Sequence, residues 1–381
     1  MTQDRQIDPN ADPLEFNIHF GGGGAPAIAI GVGAQLFFQQ AGLRPGVKRP
    51  GKPWLSIVSG NSAGAMVALP WCAGHDAAEL APLAIEKNFL ELLHLRGHWW
   101  DVLRAELMRK VYEKTLPAEG VFGTRRLGEY FERLVPTIPP GYYAVAAWPK
   151  EKVNVPVVIT HDGCYVGKLT DAGEWTYELI DRRPLPVGLT LRSTGSLPGI
   201  LESIKAEIGG QQMELVDGGL VAGANNIGPL IDIFKKPRQS IIVVDSSGKS
   251  QVYSFLSDAL DEVQDFLYAL FCDECYMPKN SHESLNGCLV VKPDWKFGSV
   301  NFGVGPWQKL RTLLSGYRAA FQTWEQTGHV DELVRQRATT VLAGAANCVK
   351  YSRGQPQDVR IKRMIGFLQD QRMYTRTKAV A

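Results

Sequence analysis

Three short stretches of the chain hold residue types that can do nucleophilic chemistry. Gly60-Asn61-Ser62-Ala63-Gly64 has the spacing G-x-S-x-G. A serine in such a pentapeptide can sit on a tight strand-to-helix turn that exposes its hydroxyl, because Gly60 and Gly64 remove the Cβ clashes a sharp turn would create. The apolar run Trp54-Leu55-Ser56-Ile57-Val58 precedes it, and Ala63-Gly64-Ala65-Met66-Val67-Ala68-Leu69 follows as a plausible helix. The N-terminus of that helix would aim free N–H groups and a partial positive charge at an oxyanion formed beside Ser62. The same pattern also fits an ordinary turn in which Ser62 only caps the helix. Gly21-Gly22-Gly23-Gly24 follows the short β-like run Asn17-Ile18-His19-Phe20. Four residues without side chains let backbone N–H groups come close to a ligand, as an oxyanion hole, a phosphate cradle or merely a flexible turn. Asp217 ends the run Met213-Glu214-Leu215-Val216 and is followed by Gly218-Gly219, which would leave its carboxylate uncovered. An Asp-Gly pair is also a common turn.

Other uses of these glycines fit less well. A dinucleotide site needs an acidic residue about 20 positions after its glycines, at the end of a second strand. The chain is instead basic and proline-containing up to Gly51. At Gly248-Lys249-Ser250 a phosphate-binding loop would need a glycine where Val243 stands. Ser56, Ser59, Ser246 and Ser247 lack the elbow context of Ser62.

The elements that must position these groups are partly legible. At roughly 150 residues per domain, 381 residues suggest two domains, or one with a substantial appendage. With 45% hydrophobic and 21% charged residues, the chain can bury a core. Forty-one Lys+Arg against 39 Asp+Glu leave a net charge of +2, which gives no global field for nucleic acid. No window approaches 18 consecutive apolar residues, so no transmembrane helix is expected. The first residues have no basic segment before an apolar core, so no secretory signal is expected. Six cysteines are too sparse for a disulfide scaffold, and reduced thiols in the cytoplasm are the expectation. Cys272-Asp273-Glu274-Cys275 has only irregularly spaced neighbours, His282 and Cys288, so it reads as structural thiols and no metal site is assigned.

Strands are expected at 17–20, 54–58, 155–160 and 241–244, separated by helices. Buried strands in that arrangement imply an α/β fold with a largely parallel sheet. Asp76 followed by Glu79 is spaced as a capping box, and residues 80–113 read as mostly helical with a break near Gly97. Residues 136–141 read as a turn. After about Lys249 the texture becomes helical, at 253–271 and from Trp307 to about Leu342. The expected organisation is a loose N-terminus over 1–15, an α/β domain over 16–250 and a mainly helical C-terminal extension over 251–381.

Taken together and in this order, the motifs resemble the patatin-like phospholipase family. Gly21-Gly22-Gly23-Gly24-Ala25 with Ala27-Ile28-Ala29-Ile30-Gly31 looks like the family's glycine-rich motif, and Gly60 to Gly64 like its nucleophile elbow. Ser193-Thr194-Gly195-Ser196-Leu197-Pro198-Gly199 is similar to the small-residue stretch before its aspartate. Asp217-Gly218-Gly219, with Ala222 and Asn225-Asn226 after it, looks like its D-G-G/A motif. The resemblance covers about 16–244 and has no counterpart beyond. It departs at Ala25-Pro26-Ala27, where the family usually carries Arg or Lys.

The resemblance implies a three-layer α/β/α domain and a Ser62–Asp217 dyad, with Gly22, Gly23, Gly24 and Ala63 lining the oxyanion hole. It also implies a lipid acyl hydrolase acting on a membrane phospholipid or another lipid acyl ester, through peripheral contact with the membrane, without metal or organic cofactor. It leaves open whether an activator is needed.

Two rivals remain at this level. One is an α/β-hydrolase triad, for which His19-Phe20-Gly21-Gly22-Gly23 echoes a lipase loop, His282 or His329 would be the base and Asp217 or Asp245 the acid. The other is a catalytically inactive lipid-binding module, motivated by the missing basic residue. The apolar stretch Leu90, Leu92, Leu93, Trp99, Trp100, Leu103 and Leu107 reads as core of a helical layer, with a lid or lipid-facing surface as the alternative. Arg125 and Arg126 read as solvated surface, with a phosphate headgroup as the alternative partner. The basic residues Arg353, Arg360, Lys362, Arg363, Arg372, Arg376 and Lys378 read as a solvated helix or tail, with anionic lipid as the alternative partner.

Overall fold

Apolar runs too short for helices and buried on both faces become the strands of one sheet. The computed structural model describes residues 14–87, 89–95, 122–150, 153–171, 173–197, 201–222, 225–246, 285–294, 305–351 and 354–370. The expected helix at 253–271, the Cys272/Cys275 pair, His282, Trp99 to Leu107, Pro198-Gly199, Arg353 and the basic residues from 371 onward lie outside them, as does most of the expected loose N-terminus.

The strands are β1 (Glu15–Phe20), β2 (Trp54–Asn61), β3 (His94–Leu95), β4 (Phe122–Gly123), β5 (Tyr142–Lys150) and β6 (Val153–Thr160). They continue as β7 (Gly163–Leu169), β8 (Trp175–Asp181), β9 (Ile204–Ile208), β10 (Gln211–Asp217), β11 (Ile241–Val244) and β12 (Leu289–Val291). All but β3 and β4 belong to one sheet, whose main path is β12-β11-β1-β2-β5-β6-β7-β8. From β12 to β5 every pairing is parallel. From β5 to β8 the chain returns as an antiparallel meander. Parallel strands need both faces covered, which explains why Ile241 to Val244 are all fully buried. In β9, by contrast, Ile204, Ala206 and Ile208 are buried while Lys205 and Glu207 face water. The architecture is therefore α/β, a mixed central sheet, parallel from β12 to β5 and antiparallel beyond, flanked by helices, with further helices at the C-terminal end.

The helix Gly24–Gln40 is apolar around its circumference because it is covered on both sides. One side faces Phe20 of β1 and the helix Ala65–Cys72, where a Cβ on Gly31 would meet Val67 at 2.9 Å and Phe20 at 3.2 Å. The other side lies against the helix Pro306–Glu325. There a Cβ on Gly33 would fall 1.9 Å from the Leu313 carbonyl oxygen, and one on Gly316 2.3 Å from that of Ile30. The two helix backbones touch at these glycines. Phe37, Phe38, Tyr317 and Trp324 pack edge to face around the contact. The helices Glu332–Tyr351 and Gln357–Asp370 add Val334, Val341, Met364 and Leu368 to the same core. Residues beyond 250 thus complete both the sheet, through β12, and the core. On the opposite face Ile57, Tyr143, Val145, Ile227, Leu230 and Val243 form a smaller cluster beneath the short helix Gly228–Asp232.

The capping box forms as expected. Glu79 N–H donates to Asp76 Oδ1 at 2.9 Å and Asp76 N–H to Glu79 Oε2 at 3.3 Å. The long helix expected from Leu80 is corrected: it ends at Glu86. Lys87 turns to extended angles, and its carbonyl accepts a hydrogen bond from Lys309 Nζ at 2.8 Å. A single 3₁₀ turn, Phe89–Leu92, follows, and β3 then pairs with β4. The apolar spacing that reads as helix instead buries the successive residues Leu92 and Leu93. Among the described residues, no helix is long and apolar enough to cross a membrane.

Candidate active site

The site is made where two strands end on the same edge of a third. β6 occupies one edge of β5. Along the other edge β2 runs parallel to β5 and stops at Asn61, opposite Val145. β10 runs antiparallel to β5 on that edge and stops at Asp217, opposite Ala146. Their C-terminal ends therefore meet at consecutive positions of β5. Ser62 leaves one end and Asp217 closes the other.

Ser62 has φ 52, a left-handed angle that costs a residue with a Cβ about 1–3 kcal/mol. The backbone around it leaves no room for larger neighbours. A Cβ on Gly60 would lie 2.5 Å from the carbonyl carbon of Gly64, and one on Gly64 2.1 Å from the Phe20 carbonyl oxygen. Ser62 is followed by the turn Ser62–Gly64 and the helix Ala65–Cys72. It is thus a nucleophile-type elbow, with the strand running directly into the serine. Ser62 N–H donates to Thr194 Oγ1 at 3.0 Å, and that hydroxyl donates to the carbonyl of Val145.

Asp217 is 4% exposed. Its carboxylate accepts a hydrogen bond from Gly219 N–H at 2.7 Å and lies beside the Ser62 hydroxyl. Burial pushes its pKa from 3.8 up to about 6, and the Ser62 hydroxyl and Gly219 N–H hold the rise in check. A base with a pKa near 6 is ionised at neutral pH yet basic enough to take a hydroxyl proton. Gly218 has the same steric duty as the elbow glycines, since its Cβ would lie 2.0 Å from the Val145 carbonyl oxygen.

The glycine run reaches the same place from β1. Gly21 N–H still bonds the Val244 carbonyl at 3.0 Å, so it continues the sheet. A Cβ on Gly22 would lie 3.1 Å from Ser62 Cβ, which sets this backbone against the serine. Gly23 (φ 151) and Gly24 (φ 65) then take left-handed angles to start the helix Gly24–Gln40. No side chain caps this helix, and neither it nor the elbow helix has an acidic residue in its first turn. Two helices thus begin close to Ser62 with no acidic residue in their first turns, and helix N-termini favour negative charge. Pro26, which stands in the stretch where the resemblance lacks its basic residue, falls in the first helical turn. A missing N–H breaks no helical bond there. Behind the loop Ser246 Oγ donates to the Gly21 carbonyl at 3.4 Å, and a Cβ on Gly23 would meet the Ser246 carbonyl oxygen at 2.9 Å.

The remaining residues singled out from sequence are placed elsewhere. Asp245 accepts a hydrogen bond from Asn225 Nδ2 at 2.8 Å. His329 packs on Phe16 and Trp324, about 13 Å along β1 from the end that feeds the glycines. His19 bonds Ser59 Oγ at 3.0 Å, and His75 bonds the Leu134 carbonyl at 3.1 Å. Asn61 is wholly buried. Arg125 pairs with Glu129 at 2.8 Å on an exposed helix face. Among the described residues no group of His, Cys, Asp or Glu could hold a metal ion.

Sequence reasoning missed Thr194 as a partner of the elbow and β5 as its scaffold. The only signal for Thr194 was its place in a run of small residues. Ser62, Asp217 and the backbone of Gly22 come together, Ala63 follows in the elbow turn, and Gly23 and Gly24 carry the loop on into its helix. In comparison with known proteins, the chain matches no protein-family model and no curated protein.

Proposed function

We propose that the protein is a serine acyl hydrolase of the patatin-like kind, acting on lipid acyl esters through a Ser62–Asp217 dyad. The observation that carries this reading is the meeting of two strand ends on one edge of β5, which sets a serine at a left-handed elbow beside a buried carboxylate whose pKa is raised toward neutrality. Ser62 Oγ attacks the ester carbonyl as Asp217 takes its proton. The N–H groups of Gly22, Gly23, Gly24 and Ala63 receive the oxyanion, where loss of one donor typically costs about 10²–10³ in turnover. As the tetrahedral intermediate collapses, Asp217 returns the proton to the departing alcohol. A water molecule, deprotonated by the same carboxylate, then frees the acid and restores Ser62. The resemblance in the motifs favours a phospholipid or related lipid as the ester.

The test combines fluorophosphonate labelling with fatty-acid release from mixed phospholipid vesicles, for wild type and Ser62→Ala. Wild type is expected to be labelled at Ser62 and to release fatty acid, and the variant to do neither. Equal release by a folded Ser62→Ala protein would overturn the nucleophile. Vesicle binding with neither labelling nor hydrolysis would favour the inactive lipid-binding module.

A further inference from the structure

We propose that Thr194 is the positioning residue of the dyad, its hydroxyl holding the Ser62 backbone in register with Asp217. This rests on the hydrolase reading above.

Thr194 ends the helix Val187–Thr194 and is completely buried. It reaches the elbow, the aspartate's turn and β5. Its Oγ1 accepts the N–H of Ser62 at 3.0 Å and donates to Val145, the β5 residue opposite Asn61. Its own carbonyl accepts the N–H of Gly218 at 3.2 Å, and the Ser196 carbonyl accepts that of Asp217 at 2.9 Å. A single turn of chain thus ties the nucleophile's backbone, the base's backbone and the strand on which both ends meet. A strained φ persists only where the surroundings over-determine it. The bond to Ser62 N–H lies at the strained residue itself.

A hydroxyl is the group this position requires. It must accept from an N–H and donate to a carbonyl at once, which serine and threonine can do and valine cannot. The anchor is itself fixed. Arg192 donates to Glu202 Oε1 at 3.0 Å and to Thr124 Oγ1 at 3.1 Å, and Ser196 Oγ donates to the Arg192 carbonyl at 2.6 Å. Thr124 N–H and hydroxyl both reach the same Glu202 oxygen.

The experiment compares wild type, Thr194→Ser and Thr194→Val. Its readouts are kcat and KM for 4-nitrophenyl butyrate, the rate of fluorophosphonate labelling at Ser62, and thermal melting to check the fold. Valine keeps the shape and removes the hydroxyl. Serine keeps the hydroxyl and removes the methyl. Thr194→Val is expected to lower kcat about 10²-fold, the scale of a small misplacement of reacting groups, with KM unchanged and labelling slowed in parallel. Thr194→Ser is expected to retain the wild-type rate. A folded valine variant with wild-type kcat would overturn the proposal. So would a folded serine variant slowed about 10²-fold from wild type, because methyl packing would then be the determinant; that arm is read against wild type and decides the matter even where the valine variant fails to fold. A wild type that is neither labelled nor active would instead overturn the hydrolase reading, and the inference with it.

Discussion

Gly60 and Gly64 beside Ser62, and Gly33 and Gly316 where two long helices cross, obey the same prohibition for different ends. In each case a Cβ would fall within 2.5 Å of another stretch of backbone. None of the four has a left-handed φ, so none is glycine for its own conformation. At the elbow, the close approach presses strand, turn and glycine loop around a strained serine. At the crossing it only brings two helices together. Steric necessity therefore does not mark function. What marks it is the polar residue that the close approach constrains.

On the proposed reading, changing Asp217 should affect ester hydrolysis most. Asp217→Asn is expected to lower kcat/KM about 10³-fold, measured by ester hydrolysis, because the proton of Ser62 loses its acceptor. The fold should gain. Since the folded carboxyl has its pKa raised from 3.8 to about 6, the native state binds more protons than the unfolded chain between those values. Wild-type stability accordingly falls as pH rises through that window and levels off above it. Asp217→Asn removes a penalty on the order of 3 kcal/mol, so it should melt above wild type at pH 8, with the gap closing toward pH 4. The same titration predicts a wild-type kcat/KM that drops as pH falls below about 6. A rate profile flat to pH 4.5 would break the link between burial and catalysis.

The helix crossing should respond in the opposite sense. Gly316→Val must push the helices apart, at a cost of roughly 2–3 kcal/mol in denaturant unfolding, while activity per folded molecule stays near wild type. Equal loss of specific activity would mean that the crossing shapes the site through the helix that begins at the glycine loop. The surface supplies the lower bound: Glu129→Gln breaks the exposed pair with Arg125 and should change stability by less than about 0.5 kcal/mol.

Legibility from sequence followed the range of the interactions. The apolar runs of β1, β2, β6 and β11, the capping box at Asp76 and the strand-to-helix turn at Ser62 are local features, and they were readable. β5 was not, because Tyr-Tyr-Ala-Val-Ala-Ala-Trp-Pro-Lys is rich in alanine, which carries little strand preference. Without β5 there was no way to see that β2 and β10 end on one edge. Thr194 was hidden for the same reason, since its partner Ser62 is 132 residues away. The helix expected beyond Glu86 failed because tertiary burial of Leu92 and Leu93 outweighed helical spacing. The motif residues were visible one by one; their geometry belongs to pairings that no local window contains.

The end-to-end meeting of β2 and β10 on β5 has a consequence for how the protein comes into being. Neither strand carries the dyad alone, and both must find β5 after long stretches of chain have intervened. Non-local strand pairing is slow compared with helix formation and collapse. During refolding, helical signal and compactness should therefore return before the proposed esterase activity, and the lag between them times the docking of β10. The dyad would then act as a clock for the completion of the sheet.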